Sequence, residues 1–351
     1  MPLWMYTPSK PLENDCHFWT GKVMSTQQIT YREALNQAMV EEMDRDENVF
    51  LMGEEVGEYN GAYKVSQGML ERFGPKRVVD TPISENGFTG LAVGAAMVGL
   101  RPIVEFMSMN FSLVAFDQII SNAAKTMYMS GGQFPISMVM RGPGGAAAQV
   151  AAQHSNVLDH CFANVPGLKV VAPSTAYDAK GLLKSSIRDN NPVIFIENEM
   201  LYGLTEELPT EEYLVPLGKG VVRSEGTDVT IVAYSRMGRM IADALRSFRE
   251  EEISVDLIDP LTIKPLDMDI IAASVQKTHR VVIVEEGHRF AGVGAEIADQ
   301  IYTRCFDDLD SPIVRVTQAE NPLPYSKPIE ALSLPTVEKV IYAAKQVLYR
   351  L

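Results

Sequence analysis

Cysteine is scarce in this sequence. Only three cysteines occur among 351 residues, at Cys16, Cys161 and Cys305, and they are far apart. Their odd number and wide spacing argue against a disulfide scaffold and against a cysteine-bound metal. We therefore expect a reducing compartment, either the cytoplasm of a bacterium or, as the alternative, an organellar matrix.

Positive charge and long apolar runs are also lacking. The 31 Lys and Arg residues face 45 Asp and Glu residues, a net charge of −14, which argues against nucleic acid or an anionic membrane as a partner. The most apolar stretch, residues 87–107, contains Arg101, Pro102 and Glu105 and predicts a helix, a turn and a strand rather than a membrane span. Residues 1–26 lack the features of a signal or transit peptide, so we expect an irregular tail, with Met24 as an alternative start.

Three common catalytic motifs are missing. There is no Gly-x-Ser-x-Gly elbow of a hydrolase. Residues 142–145 are rich in glycine but lack the Lys-Ser/Thr ending of a P-loop. The Gly292-Val293-Gly294 segment lacks the third glycine of a dinucleotide fingerprint. We interpret both glycine clusters as turns or helix starts.

What the sequence does contain is a regular alternation of short apolar strands and amphipathic helices. This alternation predicts an α/β protein of two domains, each a mostly parallel sheet with helices on both faces. The pattern breaks over residues 200–219, a segment with prolines and acids and no periodicity. We place the first domain over residues 27–203, a linker over 204–218 and the second domain over 219–351. Within the first domain we expect a capped helix after Thr30 and one long helix over residues 111–128.

Residues 80–87 form the central stretch of the first domain. Ser84 predicts the N-cap of a helix built from small and apolar residues. Such a helix requires burial, which would carry Glu85 into apolar surroundings, where a carboxyl keeps its proton more readily than in water. A protonated carboxyl can donate a hydrogen bond to a ring nitrogen. The same pattern also fits a solvated carboxylate that the helix dipole favours.

Three further residues are candidates for a site. His154 lies in a polar loop after a strand, a place typical of functional residues, and an imidazole can move protons near neutral pH. Phe111 and Tyr59 fit the walls of a pocket for a ring. Core packing of Phe111 and ordinary loop positions of Tyr59 and His154 fit the same pattern, so these alternatives stay open on the residue pattern alone.

The order of several segments goes beyond any single motif. Along residues 27–351 the chain carries Gly53-Glu54-Glu55-Val56, the central stretch, Leu100-Arg101-Pro102-Ile103, Arg141-Gly142-Pro143, Ala152-Gln153-His154-Ser155 and Ile263-Lys264-Pro265-Leu266-Asp267. In this order they resemble the beta subunit of the thiamine-diphosphate-dependent 2-oxo acid dehydrogenase component, nearest to the type that acts on pyruvate. The resemblance implies a pyrimidine-binding domain followed by a transketolase C-terminal domain. It also implies oxidative decarboxylation of pyruvate and transfer of the acetyl group to lipoamide.

The resemblance assigns roles to five residues. Glu85 matches the glutamate that hydrogen-bonds N1′ of the aminopyrimidine of thiamine diphosphate and so promotes proton removal from its thiazolium. His154 matches the active-site histidine that acts in acyl transfer. Glu54, Tyr59 and Phe111 match residues around the aminopyrimidine.

The resemblance also implies other ligands and partners. Related beta subunits hold a structural potassium ion, mainly through backbone oxygens, at positions that match Met138, Ser186, Ile187, Asp189 and Asn191. This chain lacks the Gly-Asp-Gly motif with paired asparagines that binds diphosphate and Mg²⁺, which the family places on a separate alpha subunit. We therefore expect an α₂β₂ assembly with the active site between chains, docked on a dihydrolipoyl acetyltransferase core. Val114 stands where related chains often carry glutamine, which puts one cofactor contact in question.

Other functions remain open at this point. The first alternative is a beta subunit specific for branched-chain 2-oxo acids or for acetoin. A different class is a non-catalytic subunit that only joins the alpha chain to the core. The presence of both Glu85 and His154 argues against that class, and the missing glycine fingerprint argues against a nicotinamide dehydrogenase.

Overall fold

The computed structural model describes residues 25–351, so the predictions for the tail, which include Cys16 and Met24, lie outside the described residues up to position 24. Within 25–351, fourteen strands form three sheets: β1 (Thr26–Thr30), β2 (Val49–Gly53), β3 (Val78–Asp80), β4 (Arg101–Glu105), β5 (Val139–Pro143), β6 (Lys169–Val171), β7 (Val193–Glu197), β8 (Thr205–Pro209), β9 (Val221–Ser224), β10 (Val229–Ala233), β11 (Val255–Asp259), β12 (Thr262–Lys264), β13 (Val281–His288) and β14 (Val314–Gln318).

The α-helices of the same part of the chain are α1 (Tyr31–Arg45), α2 (Met69–Phe73), α3 (Glu85–Met97), α4 (Thr126–Met129), α5 (Asp159–Ala163), α6 (Ala176–Arg188), α7 (Ser235–Asp243), α8 (Leu245–Glu250), α9 (Met268–Thr278), α10 (Val293–Cys305), α11 (Lys327–Ser333) and α12 (Val337–Val347). Short 3₁₀ turns lie at Met109–Leu113, Ala152–His154, Glu199–Leu201 and Phe306–Asp308, and a π-helical turn lies at Gln118–Ala123. None of the helices described here has the length and apolar character needed to cross a bilayer.

The first sheet has seven strands in the order β12-β6-β7-β5-β4-β2-β3 and is parallel except for β12. Its central strands β4, β5 and β7 are buried except for Arg101 at the start of β4, as expected for a parallel sheet with helices on both faces. The antiparallel edge strand β12 comes from the second half of the chain. The seven-stranded sheet therefore includes three residues that follow the predicted linker.

The second sheet has five strands in the order β14-β13-β10-β11-β9, parallel except for the edge strand β9. Together the two sheets confirm the predicted architecture of two mostly parallel α/β layers. A third, two-stranded sheet pairs β1 with β8 antiparallel, so that Thr26 lies opposite Pro209. Part of the segment predicted as a linker is thus a strand that holds the start of the described chain.

Helix α1 begins as its sequence predicts. The Thr30 hydroxyl accepts a hydrogen bond from the Glu33 backbone N–H at 3.2 Å, and the Glu33 carboxylate accepts one from the Thr30 N–H at 2.7 Å. This reciprocal capping box satisfies two N–H groups that no helical carbonyl can reach.

The prediction of one long helix over residues 111–128 is wrong. The chain instead forms a 3₁₀ turn, a π-helical turn and the short helix α4. Ser112 tightens the first turn by donating its hydroxyl hydrogen to the Met109 carbonyl at 2.5 Å. The wider turn follows at Ala124, whose N–H reaches the Ile119 carbonyl five residues back at 3.0 Å. Apolar periodicity does not distinguish these related turns from a regular helix, because all of them return apolar side chains to the same core.

Candidate active site

Two acidic side chains meet at the carboxyl edge of the seven-stranded sheet. Glu54 follows β2, and Glu85 opens α3 after β3. Because β2 and β3 are parallel neighbours, with Gly53 opposite Asp80, both chain segments leave the sheet at the same edge. Both carboxyl side chains are buried, with Glu54 only 5% and Glu85 only 6% exposed. The structure therefore brings together two of the residues predicted to surround an aminopyrimidine.

The electrostatics of this pair favour a bound proton. The pKa of Glu54 is raised to about 7. Burial is the main cause, and the charge and hydrogen bond of Glu85 contribute to the same rise. Oε1 of Glu54 has no hydrogen-bond partner among the described residues. A buried oxygen left in this state costs free energy unless a ligand pairs with it. The pair thus fits a ligand ring that offers both a nitrogen acceptor and an N–H donor, as an aminopyrimidine does.

Asp80 fixes the loop that follows Glu54. Its carboxylate accepts hydrogen bonds from the backbone N–H groups of Gly57 at 2.6 Å and Glu58 at 2.9 Å. A Cβ at position 57 would lie 3.0 Å from Oδ2 of Asp80, so a glycine permits this close approach. This role of Asp80 was not predicted from the sequence. Its position at the end of a strand in the central stretch is the feature that could have indicated the role.

Helix α3 differs from its prediction in two respects. Ser84 occupies the N-cap position, but its side chain makes no capping hydrogen bond. The helix is buried on one face only, through Phe88, Ala92 and Ala96. Leu91 on this helix is 70% exposed, and Ile83 before its N-cap and Val98 at its C-cap are 84% and 79% exposed. The expectation of a fully buried helix is therefore wrong for the single chain, although Glu85 lies on the buried face.

Phe111 and His154 form a second pair of predicted site residues. Their rings lie 5.5 Å apart between centroids, at 81° to each other, an edge-to-face contact. Phe111 is half-buried in the 3₁₀ turn after β4, and His154 is exposed at the end of the 3₁₀ turn after β5. The imidazole is thus held against an aromatic wall and stays accessible to a ligand.

Asn110 joins the two turns that carry this pair. Its side-chain oxygen accepts hydrogen bonds from the backbone N–H of Asn156 at 2.9 Å and from the Asn156 side chain at 2.8 Å. Its own amide donates to the Ser108 hydroxyl at 2.6 Å. Asn110 is buried, so these bonds are shielded from water. The local sequence around Asn110 did not predict this positioning role, because its partner Asn156 lies 46 residues further along the chain.

The glycine-rich loop after β5 is held by protein acceptors. The N–H of Gly144 binds the Glu197 carbonyl at 2.9 Å, and that of Gly145 binds the Asn156 carbonyl at 3.0 Å. The next N–H, of Ala146, binds the carboxylate of Glu286 from the second half of the chain at 2.8 Å. A carboxylate in this position repels an anion, so the loop is a turn rather than a phosphate cradle.

A buried ionic cluster lies behind the site. The Arg141 guanidinium binds Glu105 and Glu197, and the Tyr202 hydroxyl donates to Glu197 at 2.6 Å. All of these side chains lie in the interior. Burial raises the pKa of Glu105, while the adjacent Arg141 charge lowers it. The cluster ties together the carboxyl ends of β4, β5 and β7.

Tyr59 and Val114 lie differently from the two pairs. Tyr59 is more than half exposed in the loop after β2, and the Lys64 ammonium lies 3.2 Å from the centroid of its ring. Val114 is exposed at the end of the turn that carries Phe111. One face of the Tyr59 ring is therefore covered by a cation rather than open to a ligand.

Two of the five positions predicted to bind potassium contact a guanidinium. Arg101 donates to the carbonyl oxygens of Ile187 at 3.0 Å and Asp189 at 2.7 Å. The Met138 carbonyl accepts from Val193 at 2.9 Å, and the Ser186 carbonyl accepts from Asp189 at 3.3 Å. Each carbonyl keeps a second lone pair. The Asn191 amides donate to the Asp189 carboxylate, so a cation here would share its ligands with existing donors.

Comparison with known proteins gives a family for both halves of the chain. Residues 27–205 match the family described as transketolase, pyrimidine binding domain, and residues 218–340 match transketolase, C-terminal domain. The fold is similar to a solved split-gene transketolase, described as an inactive beta4 tetramer, with a TM-score of 0.76 at 21% identity over 92% of this chain and 98% of that one.

Two relatives show how far the similarity extends. A pyruvate dehydrogenase E1 component subunit beta from Rickettsia felis is 56% identical over 92% of this chain and 99% of its own length. The mitochondrial protein of that description from Homo sapiens is 51% identical over 94% of this chain and 93% of its own. These matches confirm the resemblance, and the chain belongs to the family of thiamine-dependent pyruvate dehydrogenase E1 beta subunits, built from the two transketolase domains.

Proposed function

We propose that this chain is the catalytic beta subunit of a pyruvate dehydrogenase, which decarboxylates pyruvate oxidatively and transfers the acetyl group to lipoamide. The observation that carries the proposal is the buried pair of Glu54 and Glu85 at the edge of the pyrimidine-binding domain. The identity to relatives named for pyruvate supports this substrate over branched-chain 2-oxo acids or acetoin.

Thiamine diphosphate, when bound, supplies the carbon nucleophile and the electron sink for decarboxylation. Glu85 would hold N1′ of its aminopyrimidine through a shared proton. Glu54, whose pKa is raised to about 7, is about half protonated beside Glu85 at neutral pH, which limits repulsion between the two carboxyl groups. A carboxyl with a pKa close to the working pH can exchange its proton in both directions.

His154 would act at the later step. Its imidazole is exposed and lies edge-to-face on Phe111, so it can reach a ligand that enters from solvent. Transfer of an acetyl group to lipoamide releases a sulfur that needs a proton, and a histidine can supply one near neutral pH. Phe111 and Tyr59 would provide aromatic surface near the pyrimidine ring.

An alpha subunit would complete the site. We infer that it contributes the Mg²⁺ and diphosphate site in an α₂β₂ assembly, and that the assembly docks on a dihydrolipoyl acetyltransferase core. The exposed apolar side chains Ile83, Leu91 and Val98 along α3 support an additional chain next to Glu85. We propose a bacterial cytoplasm as the compartment, supported by the bacterial relatives and the scarce cysteines.

A potassium ion remains part of the proposal. Carbonyl oxygens suit a large hard cation. A cation at these positions would share the Ile187 and Asp189 carbonyls with Arg101. Thermal unfolding of the complex in KCl, NaCl and choline chloride at equal ionic strength tests this. We expect a higher melting temperature in KCl than in NaCl or choline chloride. Equal melting temperatures in all three salts would contradict the potassium site.

The test of the function is co-expression with the alpha subunit, followed by ferricyanide reduction with thiamine diphosphate and Mg²⁺. Pyruvate should support turnover, and the isolated beta chain should not. Activity with branched 2-oxo acids but not with pyruvate would keep the mechanism and change the substrate. Pyruvate turnover by the isolated chain would contradict the need for a partner.

A further inference from the structure

Asp159, His160 and Cys161 are three consecutive residues of the short helix α5 whose side chains lie close together, away from the paired glutamates. Sγ of Cys161 lies 3.3 Å from Nε2 of His160, and Nδ1 of His160 lies 3.6 Å from Oδ1 of Asp159. Asp159 is buried, whereas His160 and Cys161 are each partly exposed. The imidazole therefore lies between a fixed carboxylate and the thiol of a partly exposed cysteine.

The carboxylate is fixed from both halves of the chain. The Tyr234 hydroxyl, which follows β10, donates to Oδ2 of Asp159 at 2.6 Å, and the backbone N–H of His160 donates to Oδ1 at 2.8 Å. Contacts with Asp159 first and Cys161 second raise the pKa of His160 to about 10. At neutral pH the imidazole therefore carries a proton. A protonated imidazole this close to a sulfur can donate a hydrogen bond to it and can give up its proton during a reaction at the sulfur.

We propose that Cys161 is a peroxide-reactive thiol, a modification site in which His160 holds the thiolate and supplies the proton for the leaving oxygen. The sulfur attacks one peroxide oxygen, the S–O bond forms and the O–O bond breaks. The departing oxygen takes the proton of the His160 imidazolium and leaves as water. Sulfur loses two electrons and peroxide gains them, which gives a sulfenic acid that a thiol can reduce again.

Two features separate this site from ordinary cysteine chemistry in the chain. Cys305 is buried at the end of α10, and burial raises its pKa, so it is expected to be inert. Cys161 has both exposure and a cation. The cluster also lies at a contact between the two halves of the chain, because Asp159 is bound by Tyr234.

The test is the rate of sulfenic acid formation at Cys161 in the αβ complex exposed to hydrogen peroxide at neutral pH. A dimedone probe and peptide mass spectrometry resolve each cysteine separately. Free glutathione in the same solution reports the rate of an exposed thiol without assistance. Cys161 should react at least about tenfold faster than glutathione, because His160 lies 3.3 Å from its sulfur and can protonate the departing oxygen, whereas glutathione has no such donor.

The variants His160→Gln and Asp159→Asn separate assistance from exposure. His160→Gln retains a polar side chain of similar length but carries no charge, and it should lower the rate to that of glutathione or below. Asp159→Asn should give an intermediate rate. Circular dichroism and the melting temperature identify any variant that fails to fold. A rate at Cys161 no faster than that of glutathione, or a rate unchanged in folded His160→Gln, would overturn the proposal.

Discussion

The buried carboxyl groups of Glu54 and Glu85 lie against each other, one from the loop after β2 and the other from the first turn of α3. Burial and, after it, the proximity of Glu85 raise the pKa of Glu54 to about 7. A pair of this kind holds one proton more readily than none, because two buried like charges repel. The acid–base chemistry of the site therefore depends on both residues together.

The first prediction concerns stability and pH in the ligand-free chain. The folded pKa of Glu54, about 7, lies above its ordinary value of 4.5. The contribution of Glu54 to the free energy of unfolding is therefore fully present below about pH 4.5 and is lost as the pH rises through about 7. The glutamine of Glu54→Gln cannot ionise. The unfolding free energy of this variant, relative to that of the wild type, should therefore rise by on the order of 1 kcal/mol between pH 5 and pH 8.

Urea denaturation at several pH values measures this difference. Glu58→Gln, an exposed change in the same loop, is the control and should follow the wild type at every pH. A constant difference between Glu54→Gln and the wild type across this range would show that Glu54 ionises normally.

The second prediction concerns the buried ionic cluster. Arg141→Ala leaves the carboxylates of Glu105 and Glu197 in the interior without their cation, and it should lower the unfolding free energy by about 3–5 kcal/mol. The matched control is Arg246→Ala, which removes an exposed contact of 2.9 Å with Glu250 on one helix and should cost no more than about 0.5 kcal/mol. Chemical denaturation followed by circular dichroism gives both values. Equal costs for the two variants would show that Arg141 is not buried as described.

The third prediction concerns the loop that carries His154. Asn110→Ala removes the acceptor that holds Asn156, so the His154 turn should lose its fixed position over Phe111. Acetyl transfer to lipoamide should fall by about tenfold or more, because misplacement of an acting group slows the step that it serves. Ferricyanide-coupled decarboxylation, which bypasses that step, should change much less.

The ratio of the two rates is the measurement for Asn110→Ala. His154→Ala should shift the ratio in the same direction and further. Asn48→Ala, whose side chain donates to Asp46 on the surface, should leave both rates unchanged. A parallel loss of both activities in Asn110→Ala would indicate a general structural defect instead.

The sequence predicted the alternation of strands and helices along both domains because apolar runs and caps such as the Thr30–Glu33 box are local signals. Glu54 directly follows one apolar strand and Glu85 opens the helix after the next one, so their meeting at one edge of a parallel sheet could be expected. The roles of Asp80, Asn110 and Glu286 depend on hydrogen bonds to residues far along the chain, which a local pattern does not show. The prediction of a helix over residues 111–128 is wrong because 3₁₀ and π-helical turns keep apolar side chains on the same face as a regular helix does.

The most direct test of the central role of Glu85 is pyruvate-dependent ferricyanide reduction by the αβ complex with Glu85→Gln next to the wild type. Glutamine keeps the length of the side chain but cannot share a proton, so the rate should fall by at least about 100-fold. Circular dichroism and co-purification with the alpha subunit check that the variant folds and assembles. An unchanged rate in the assembled variant would contradict the account and leave Glu85 a structural residue.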